Sequence, residues 1–365
     1  MIHSVTITLA VLAVVLSVPE SKVSRTIGCR AGERLSRDQQ DADKADKRRL
    51  VSIGDVHGSL IGLHELLFKA GITSGRNSCD WHPETKDRGG VLFVQNGDIV
   101  DRGPNASEAW LCLKHLQDTA PTHGSEVIRL LGNHELWWLT GQLSYRNKKN
   151  DTKQKVEALV TLMKEEILSG AVKGAYSAVK DGIPLIFIHA GLRPQMISKL
   201  REIVPALVSP SGAVGESTVI AEYINAKLLS DVQGCGSGMA KCKLDDLVYS
   251  AGPERGGNQL GGPYWTDFSV LEEAHKGQVE EEGGLTDWVQ VVGHTVEVNE
   301  IRASRGLGAV CTDAGMMYGG RAFLEIIDGR FISYEKEESS RKVAATAFDA
   351  KWYRRDLTAH ACAAY

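Results

Sequence analysis

Apolar residues along the chain gather into short β-branched runs, each ending on a polar cluster. LVSIGD (50–55), VLFVQNGD (91–98), VIRLLGN (127–133), PLIFIHA (184–190) and VQVVGH (289–294) share this form. Continuous apolar runs of this length predict strands buried on both faces, as in a sheet covered by helices. Helical candidates lie between them at Leu60–Ala70, Asn105–Gln117 and Asp151–Leu168. The last sets Val156, Leu159, Val160, Met163 and Ile167 on one face of a helix. Strand and helix in alternation predict a layered α/β domain, with α+β layering. Residues 191–287 break the rhythm with helices and a Gly-rich stretch, and read as a cap or substrate-facing insertion. After Gly308, residues 309–314, 322–327 and 331–335 predict closing strands, with Asp328-Gly329 as a hairpin turn. The charged tail past Lys336 reads as peripheral.

The N-terminal pattern differs. No Lys, Arg, Asp or Glu precedes Glu20, and Val5 to Val18 is almost wholly apolar. That length suits the apolar core of a signal peptide and falls short of the roughly 20 residues of a membrane span. The segment has no Lys or Arg before it and no clean A-x-A site. An uncleaved anchor, a buried strand and an organelle transit peptide are the alternatives. The expectation is a secretory or extracytoplasmic protein, with an organelle as the alternative, and membrane contact only if the segment stays as an anchor. A polar linker follows. Its Asp38, Asp41, Asp43 and Asp46 are interleaved with Lys and Arg, which describes a solvated arm better than a metal site. The chain thus divides into a leader or anchor (1–22), a linker (23–48), a catalytic domain (49–335) and a tail (336–365).

Composition narrows the classes. Lys+Arg 42 against Asp+Glu 46 gives a formal charge of -4, without the basic excess a nucleic-acid binder uses to neutralise phosphates. A hydrophobic share of 42% with 24% charged residues is enough apolar content for a real core, and argues against global disorder. Seven cysteines are too few for a disulfide scaffold, and an odd number cannot all pair within one chain.

The chemistry stands at the strand ends, where open α/β sheets collect function. Five successive strands terminate in metal-competent groups: Asp55 and His57, Asp98, Asn133 and His134, His189, and His294. One such histidine would be an ordinary structural hydrogen-bonder; five strands doing the same predict a metal site. Mixed imidazole, carboxylate and amide oxygen suits two divalent or mixed-valence ions (Mn, Fe or Zn) rather than a thiolate-seeking one. Asp98 is the candidate bridge between them, and two such ions would activate water against a phosphoryl group. Glycines beside the ligands allow the tight turns this requires.

GDVHG (54–58), GDIVDRG (97–103), GNHE (132–135), HAGLRP (189–194) and GHT (293–295) together resemble the ordered signature set of the PPP-family metallophosphatases. The resemblance spans Leu50 to Asp328. It implies a calcineurin-like metallophosphoesterase fold, a central β-sandwich flanked by helices. It also implies a phosphoprotein phosphatase that hydrolyses phosphomonoesters by attack of a metal-bridging hydroxide. Carried over by residue, Asp55, His57 and Asp98 would hold one metal, and Asp98, Asn133, His189 and His294 the other. His134 resembles the family's general acid, oriented by Asp101, and Arg102 resembles its phosphate-binding arginine. The alternative for Arg102 is a surface salt bridge. Glu135 is expected to hold the loop.

Asp101-Arg102-Gly103 separates the chain from dinucleoside-polyphosphate hydrolases of the same superfamily, which lack an acid at the position of Asp101. The shortened DAGMMYGG segment, without an SAPNYC pattern, is similar to the Shewanella-like protein phosphatase branch. Phosphotyrosine or phosphoserine/threonine on a protein is then the expected substrate. Nucleotide or dinucleoside-polyphosphate hydrolysis, and an inactive phosphoesterase-fold binding module, are the alternatives. The family's second phosphate-contacting arginine has no clear counterpart: YWTDF (264–268) carries Asp267 where a basic residue is expected, and Arg255 is a candidate. Cys235 and Cys242 lie close together in CGSGMAKC and read either as a disulfide or as two free thiols, not as a zinc site. Cys112 and Cys311 sit in apolar runs and read as core residues.

Overall fold

The structure is a computed structural model that describes residues 46–204, 207, 212–258, 260–279, 286–304, 307–336 and 352–358. The apolar N-terminal segment and most of the linker lie outside the described residues. So does the stretch that separates residue 336 from residue 352.

Two mixed sheets face each other. The first has the strand order β12-β11-β10-β1-β2-β3-β4, and the second β5-β6-β7-β9-β8. In the first, β1 (Arg49–Ile53), β2 (Val91–Gln95), β3 (Glu126–Leu130) and the short β4 (Val172–Lys173) run parallel. The antiparallel β10 (Ala322–Ile327), β11 (Arg330–Lys336) and β12 (Trp352–Asp356) extend it on one edge. The second joins β5 (Ala175–Lys180), β6 (Ile183–Ile188), β7 (Val289–Val292), β8 (Arg302–Ala303) and β9 (Ala309–Cys311).

The two-residue period of a strand splits each apolar run between two cores. Leu50, Leu92, Val94, Ile128 and Leu130 point inward onto Leu185, Phe187, Val289, Val291 and Val310 of the facing sheet. Their neighbours Val51, Ile53, Val91, Phe93 and Val127 instead join the helices α1 (Leu60–Lys69) and α2 (Ala106–Thr119) through Leu63, Leu66, Trp110 and Leu113. Each of these buried side chains contributes about 1.5–3 kcal/mol relative to exposure. The expected burial on both faces is therefore met by a sheet on one side and helices on the other. This is the sandwich that the motif resemblance implies, not a single covered sheet.

The later helices share the outer layers. The short α3 (Asn133–Leu139) follows β3, and α4 (Lys153–Leu168) buries the predicted face of Val156, Leu159, Val160, Met163 and Ile167. Within 191–287 lie α5 (Pro194–Ile203), α6 (Gly212–Gln233), α7 (Asp246–Tyr249) and α8 (Phe268–Val279). α6 lies against β5 and β6 and covers the second sheet, so only part of this segment is a cap. Asp328 and Gly329 take φ of 50° and 69° and close the β10–β11 hairpin as expected. No helix among the described residues is long and apolar enough to cross a membrane.

Two expectations need correction. The tail is not merely peripheral: β12 adds an edge strand, Arg355 pairs with Glu335 at 2.6 Å, and Leu357 is buried. Cys112 is buried but not an ordinary core thiol, because it forms a disulfide with Cys79 on the loop after α1. Cys235 and Cys242 form a second disulfide, and Cys311 is a buried free thiol.

Candidate metal centre and catalytic cleft

The polar ends of β1, β2, β3, β6 and β7 open onto one edge of the sandwich. Sharp turns bring their side chains together. His57, Asp98, Asp101, Arg102 and His294 all take positive φ, between 46° and 69°, a conformation uncommon for residues other than glycine and typical of strained functional loops. Close approach also demands glycine at two places. A Cβ on Gly132 would lie 2.0 Å from Asp98 Oδ1, and one on Gly293 would lie 2.5 Å from Asp55 Oδ1.

Glu135 organises the loop, as its sequence position suggests. Its two oxygens accept the backbone N–H groups of Asp98, Ile99, Val100 and Gly132 at 2.7–2.9 Å. Burial and the neighbouring Asp98 push its carboxyl up to about 7, and these donors act against the shift.

One oxygen, Asp98 Oδ2, lies between two sets of donors. It is 3.6 Å from His57 Nε2, which is also 3.6 Å from Asp55 Oδ2. On its other side it is 3.5 Å from His189 Nε2. There Asn133 Oδ1 stands 2.9 Å from both His189 Nε2 and His294 Nδ1, which are 3.2 Å apart. Donors sharing a cation at about 2.1 Å stand roughly 3.0–3.4 Å apart. The Asn133, His189 and His294 contacts at 2.9–3.2 Å lie close to such edges, and the Asp55, His57 and Asp98 contacts at 3.6 Å are slightly wider. The backbone fixes the imidazoles for this task. His57 Nδ1–H donates to Val100 O at 2.9 Å and His189 Nδ1–H to Asn96 O at 2.8 Å, leaving each Nε2 for the centre.

The charges agree with that division. Burial lowers His57 to about 3, lowers His189, and holds His294 well below its ordinary value. Burial opposes ionisation of Asp98, yet the charge of His134, whose backbone N–H also donates to Oδ1 at 2.9 Å, helps to hold its carboxyl low. Asp55 is pushed well up by burial and by the charges of Asp313 and Asp98. Neutral imidazoles and crowded buried carboxylates are a donor set whose crowding a bound cation would relieve.

His134 behaves differently. Its Nδ1–H donates to Asp101 Oδ2 at 2.6 Å, and Trp138 Nε1–H donates to Asp101 Oδ1 at 2.6 Å. Burial acts to lower the imidazole, but the charge of Asp98 and the bond and charge of Asp101 raise it. His134 Nε2 is 3.9 Å from Asp98 Oδ2 and 3.3 Å from the Arg102 guanidinium. Spacing alone groups His134 with His57 and Asp98 as a possible donor set. A guanidinium beside that nitrogen disfavours a cation there.

Asp98, Asn133, His134 and His294 line a cavity of about 160 Å³ with Arg102, Trp137, Tyr145, Arg255 and Trp265. Arg102 makes no ion pair among the described residues; its Nη1 donates to Tyr318 OH at 2.9 Å. Arg255 reaches the cavity and pairs with Asp267, which accounts for the acid found in YWTDF. Trp137 stacks on Tyr145 at 4.9 Å and 9°, and meets Trp265 at 5.0 Å.

The six candidate ligands, with Asp101, Arg102, His134 and Arg255, therefore meet at one edge. Sequence reasoning missed the aromatic wall and Asp313. The Asp313 carboxyl is buried, its Oδ1 accepts the Gly315 N–H at 3.0 Å, and the Asp55 side chain stands within hydrogen-bonding reach of it. The strand-end rule that found the other residues applies to Asp313 as well, since it follows β9.

A family model described as calcineurin-like phosphoesterase matches residues 48–212. The chain is 26% identical over 299 residues to Shewanella-like protein phosphatase 2 of Arabidopsis thaliana, covering 73% of this chain and 69% of that one. It is 36% identical over 101 residues to Shewanella-like protein phosphatase 1 of Plasmodium berghei, covering 28% of this chain and only 26% of the relative. Among solved structures it is similar to a cold-active protein-tyrosine phosphatase of a psychrophilic Shewanella, with a TM-score of 0.53, 18% identity, and coverage of 85% and 80%. The last likeness is one of fold.

Proposed function

We propose, for a chain that carries a calcineurin-like phosphoesterase domain, that it is a metal-dependent phosphoprotein phosphatase hydrolysing phosphomonoesters. Asp55, His57 and Asp98 would hold one cation, and Asp98, Asn133, His189 and His294 a second. The donor set fits Mn, Fe or Zn. Bound there, two such ions would neutralise phosphoryl charge and lower the pKa of water enough to make it a nucleophile.

The chain's own residues do the rest. Arg102 and Arg255 face the same cavity and bind phosphoryl oxygens through their planar forks. Asp101 fixes the His134 tautomer, so that Nε2–H points at the cavity and protonates the leaving oxygen. Trp137, Tyr145 and Trp265 flank an aromatic leaving group and exclude water, which favours phosphotyrosine over phosphoserine or phosphothreonine.

One observation carries this reading: His57 and His189 turn Nε2 to Asp98 Oδ2 at 3.6 and 3.5 Å, with His294 beside His189, whereas His134 is held by Asp101 at 2.6 Å. Burial lowers the first three imidazoles, and Asp98 and Asp101 raise His134. That asymmetry is what ligands and a general acid require of the same residue type. The intact donor set and acid weigh against an inactive binding module. The test is a Mn²⁺-supplemented assay of the full chain on phosphotyrosine and phosphoserine peptides beside diadenosine tetraphosphate. Phosphotyrosine peptides are expected to be cleaved fastest. Faster cleavage of the dinucleotide than of every phosphopeptide would replace this reading with that of a nucleotide hydrolase.

A further inference from the structure

Two loops beside the cavity carry charge of one sign. Residues 141–149 (GQLSYRNKK) and 236–244 (GSGMAKCKL) contain Arg146, Lys148, Lys149, Lys241 and Lys243 and no Asp or Glu. Lys148, Lys149, Lys241 and Lys243 are exposed, and none of the four makes an ion pair among the described residues. The nearest carboxylates are committed elsewhere or set apart. Asp151 is buried, Asp245 pairs with Lys227 at 2.9 Å, and Asp246 opens the following helix.

The loops touch each other and the cleft. A Cβ on Gly141 would lie 2.7 Å from Lys241 Cε, so the lysine stem crosses that glycine. Cys242 N–H donates to Leu139 O at 3.0 Å, and Gln142 N–H to Trp137 O at 2.7 Å. Tyr145 lines the cavity, and its carbonyl accepts the Arg102 N–H at 2.9 Å. The second loop is also held in shape. The Cys235–Cys242 disulfide closes it, and the buried Lys164 Nζ donates to Gly236 O, Gly238 O and Ala240 O at 3.0, 2.9 and 2.7 Å. With one ammonium satisfying its carbonyls from inside, the loop presents Lys241 and Lys243 on a preorganised frame, which reduces the ordering cost of binding.

We propose that this surface docks an acidic stretch of the phosphoprotein substrate flanking the phosphorylated residue; the proposal rests on the phosphoprotein reading above. The cation surface continues from the cavity that takes the phosphoryl group, so a chain bound there runs its neighbouring residues across these loops. Exposed charges steer encounter and tune affinity more than they stabilise a complex, and salt screens them. The effect therefore falls on KM and on its salt dependence, and leaves kcat in place.

The test uses the full Mn²⁺-supplemented chain with phosphotyrosine peptides of one length, flanked by acidic or by neutral residues, and p-nitrophenyl phosphate as a ligand without flanks. At low salt the acidic peptide is expected to exceed the neutral one in kcat/KM by about two- to tenfold, an advantage that shrinks as salt rises. K148A/K149A and K241A/K243A should each reduce that advantage through KM and leave p-nitrophenyl phosphate unchanged. K148E/K149E should reverse the preference. Equal kcat/KM for both peptides in the unsubstituted chain overturns the docking proposal alone, as does an equal loss on all three substrates in the variants. Cleavage of diadenosine tetraphosphate with neither peptide cleaved overturns the phosphoprotein reading and the docking proposal together.

Discussion

His134 Nδ1–H donates a hydrogen bond to Asp101 Oδ2 at 2.6 Å, and the second oxygen of that carboxylate accepts the Trp138 indole N–H at 2.6 Å. The carboxylate therefore cannot rotate away without losing both partners, and the imidazole is held with Nε2 toward the cavity. Trp138 and Trp137 adjoin in sequence, so one helix supplies both the brace behind Asp101 and the wall before His134.

The first prediction concerns protonation. Burial and Arg102 act to lower His134, while Asp98 and Asp101 raise it above its ordinary value. A general acid must be protonated, so turnover should fall as pH rises through that raised pKa. Asp101→Asn removes one of the raising charges and should move this fall to lower pH. His134→Ala should lower kcat by roughly 10²–10⁴ with metal content unchanged by elemental analysis. Loss of metal from the His134→Ala protein would make His134 a ligand instead, as its spacing to His57 and Asp98 permits.

A second prediction follows from Asp313 and Asp55. Burial raises the Asp313 carboxyl to about 6, and Asp55 is raised as well. A folded-state pKa above the unfolded one gives stability that is complete below the unfolded value and lost as pH rises through the folded value. The metal-free protein should thus lose stability between about pH 4 and 6. Asp313→Asn, which carries no charge at pH 7, should flatten this dependence and raise the melting temperature in EDTA at pH 7. Thermal melts of both chains from pH 4 to 7 check it. A steeper dependence in the variant would show that Asp313 is not a source of the strain.

How much of this was legible follows from where each signal lies. Asp55, Asp98, Asn133, His189 and His294 were found because each lies within three residues after a short apolar strand, a local feature of one strand. Asp313 has the same position and was passed over because AVCTDA read only as a closing strand. Arg255 and Asp267 meet across a turn within 191–287, where periodicity carries no register. The Cys79–Cys112 pair joins a loop to a helix across a sequence separation of 33, so neither flank announces the other. β12 follows a stretch with no apolar period, and only its pairing with β11 gives it a place. What depended on a single element was readable; what depended on two elements meeting was not.

Third, the aromatic wall should set leaving-group preference. Trp137 stacks on Tyr145 and packs against Trp265, and His134 meets the Trp137 ring edge-on at 4.7 Å. Stacking beyond simple burial is worth about 0.5–1.5 kcal/mol, or roughly two- to tenfold in kcat/KM. Tyr145→Ala should lower kcat/KM for a phosphotyrosine peptide by that factor and leave a phosphoserine peptide nearly unchanged. An equal loss on both would mean that the wall shapes the cleft without recognising the leaving group.

The fourth prediction separates the two disulfides by the length of chain each closes. In the chain-entropy model the stabilisation grows with the logarithm of the loop. The Cys79–Cys112 link, at a separation of 33, should therefore contribute more than the Cys235–Cys242 link at 7. The model puts them near 4 and 2 kcal/mol respectively, before native-state strain. The second loop also keeps its Lys164 clasp when the bond is cut, since Nζ bonds three backbone carbonyls rather than sulfur. Cys79→Ser/Cys112→Ser should thus lower the urea midpoint clearly more than Cys235→Ser/Cys242→Ser. Measured by urea unfolding without reductant, the opposite order would mean that the clasp depends on the disulfide, and that the basic loop is held by it alone.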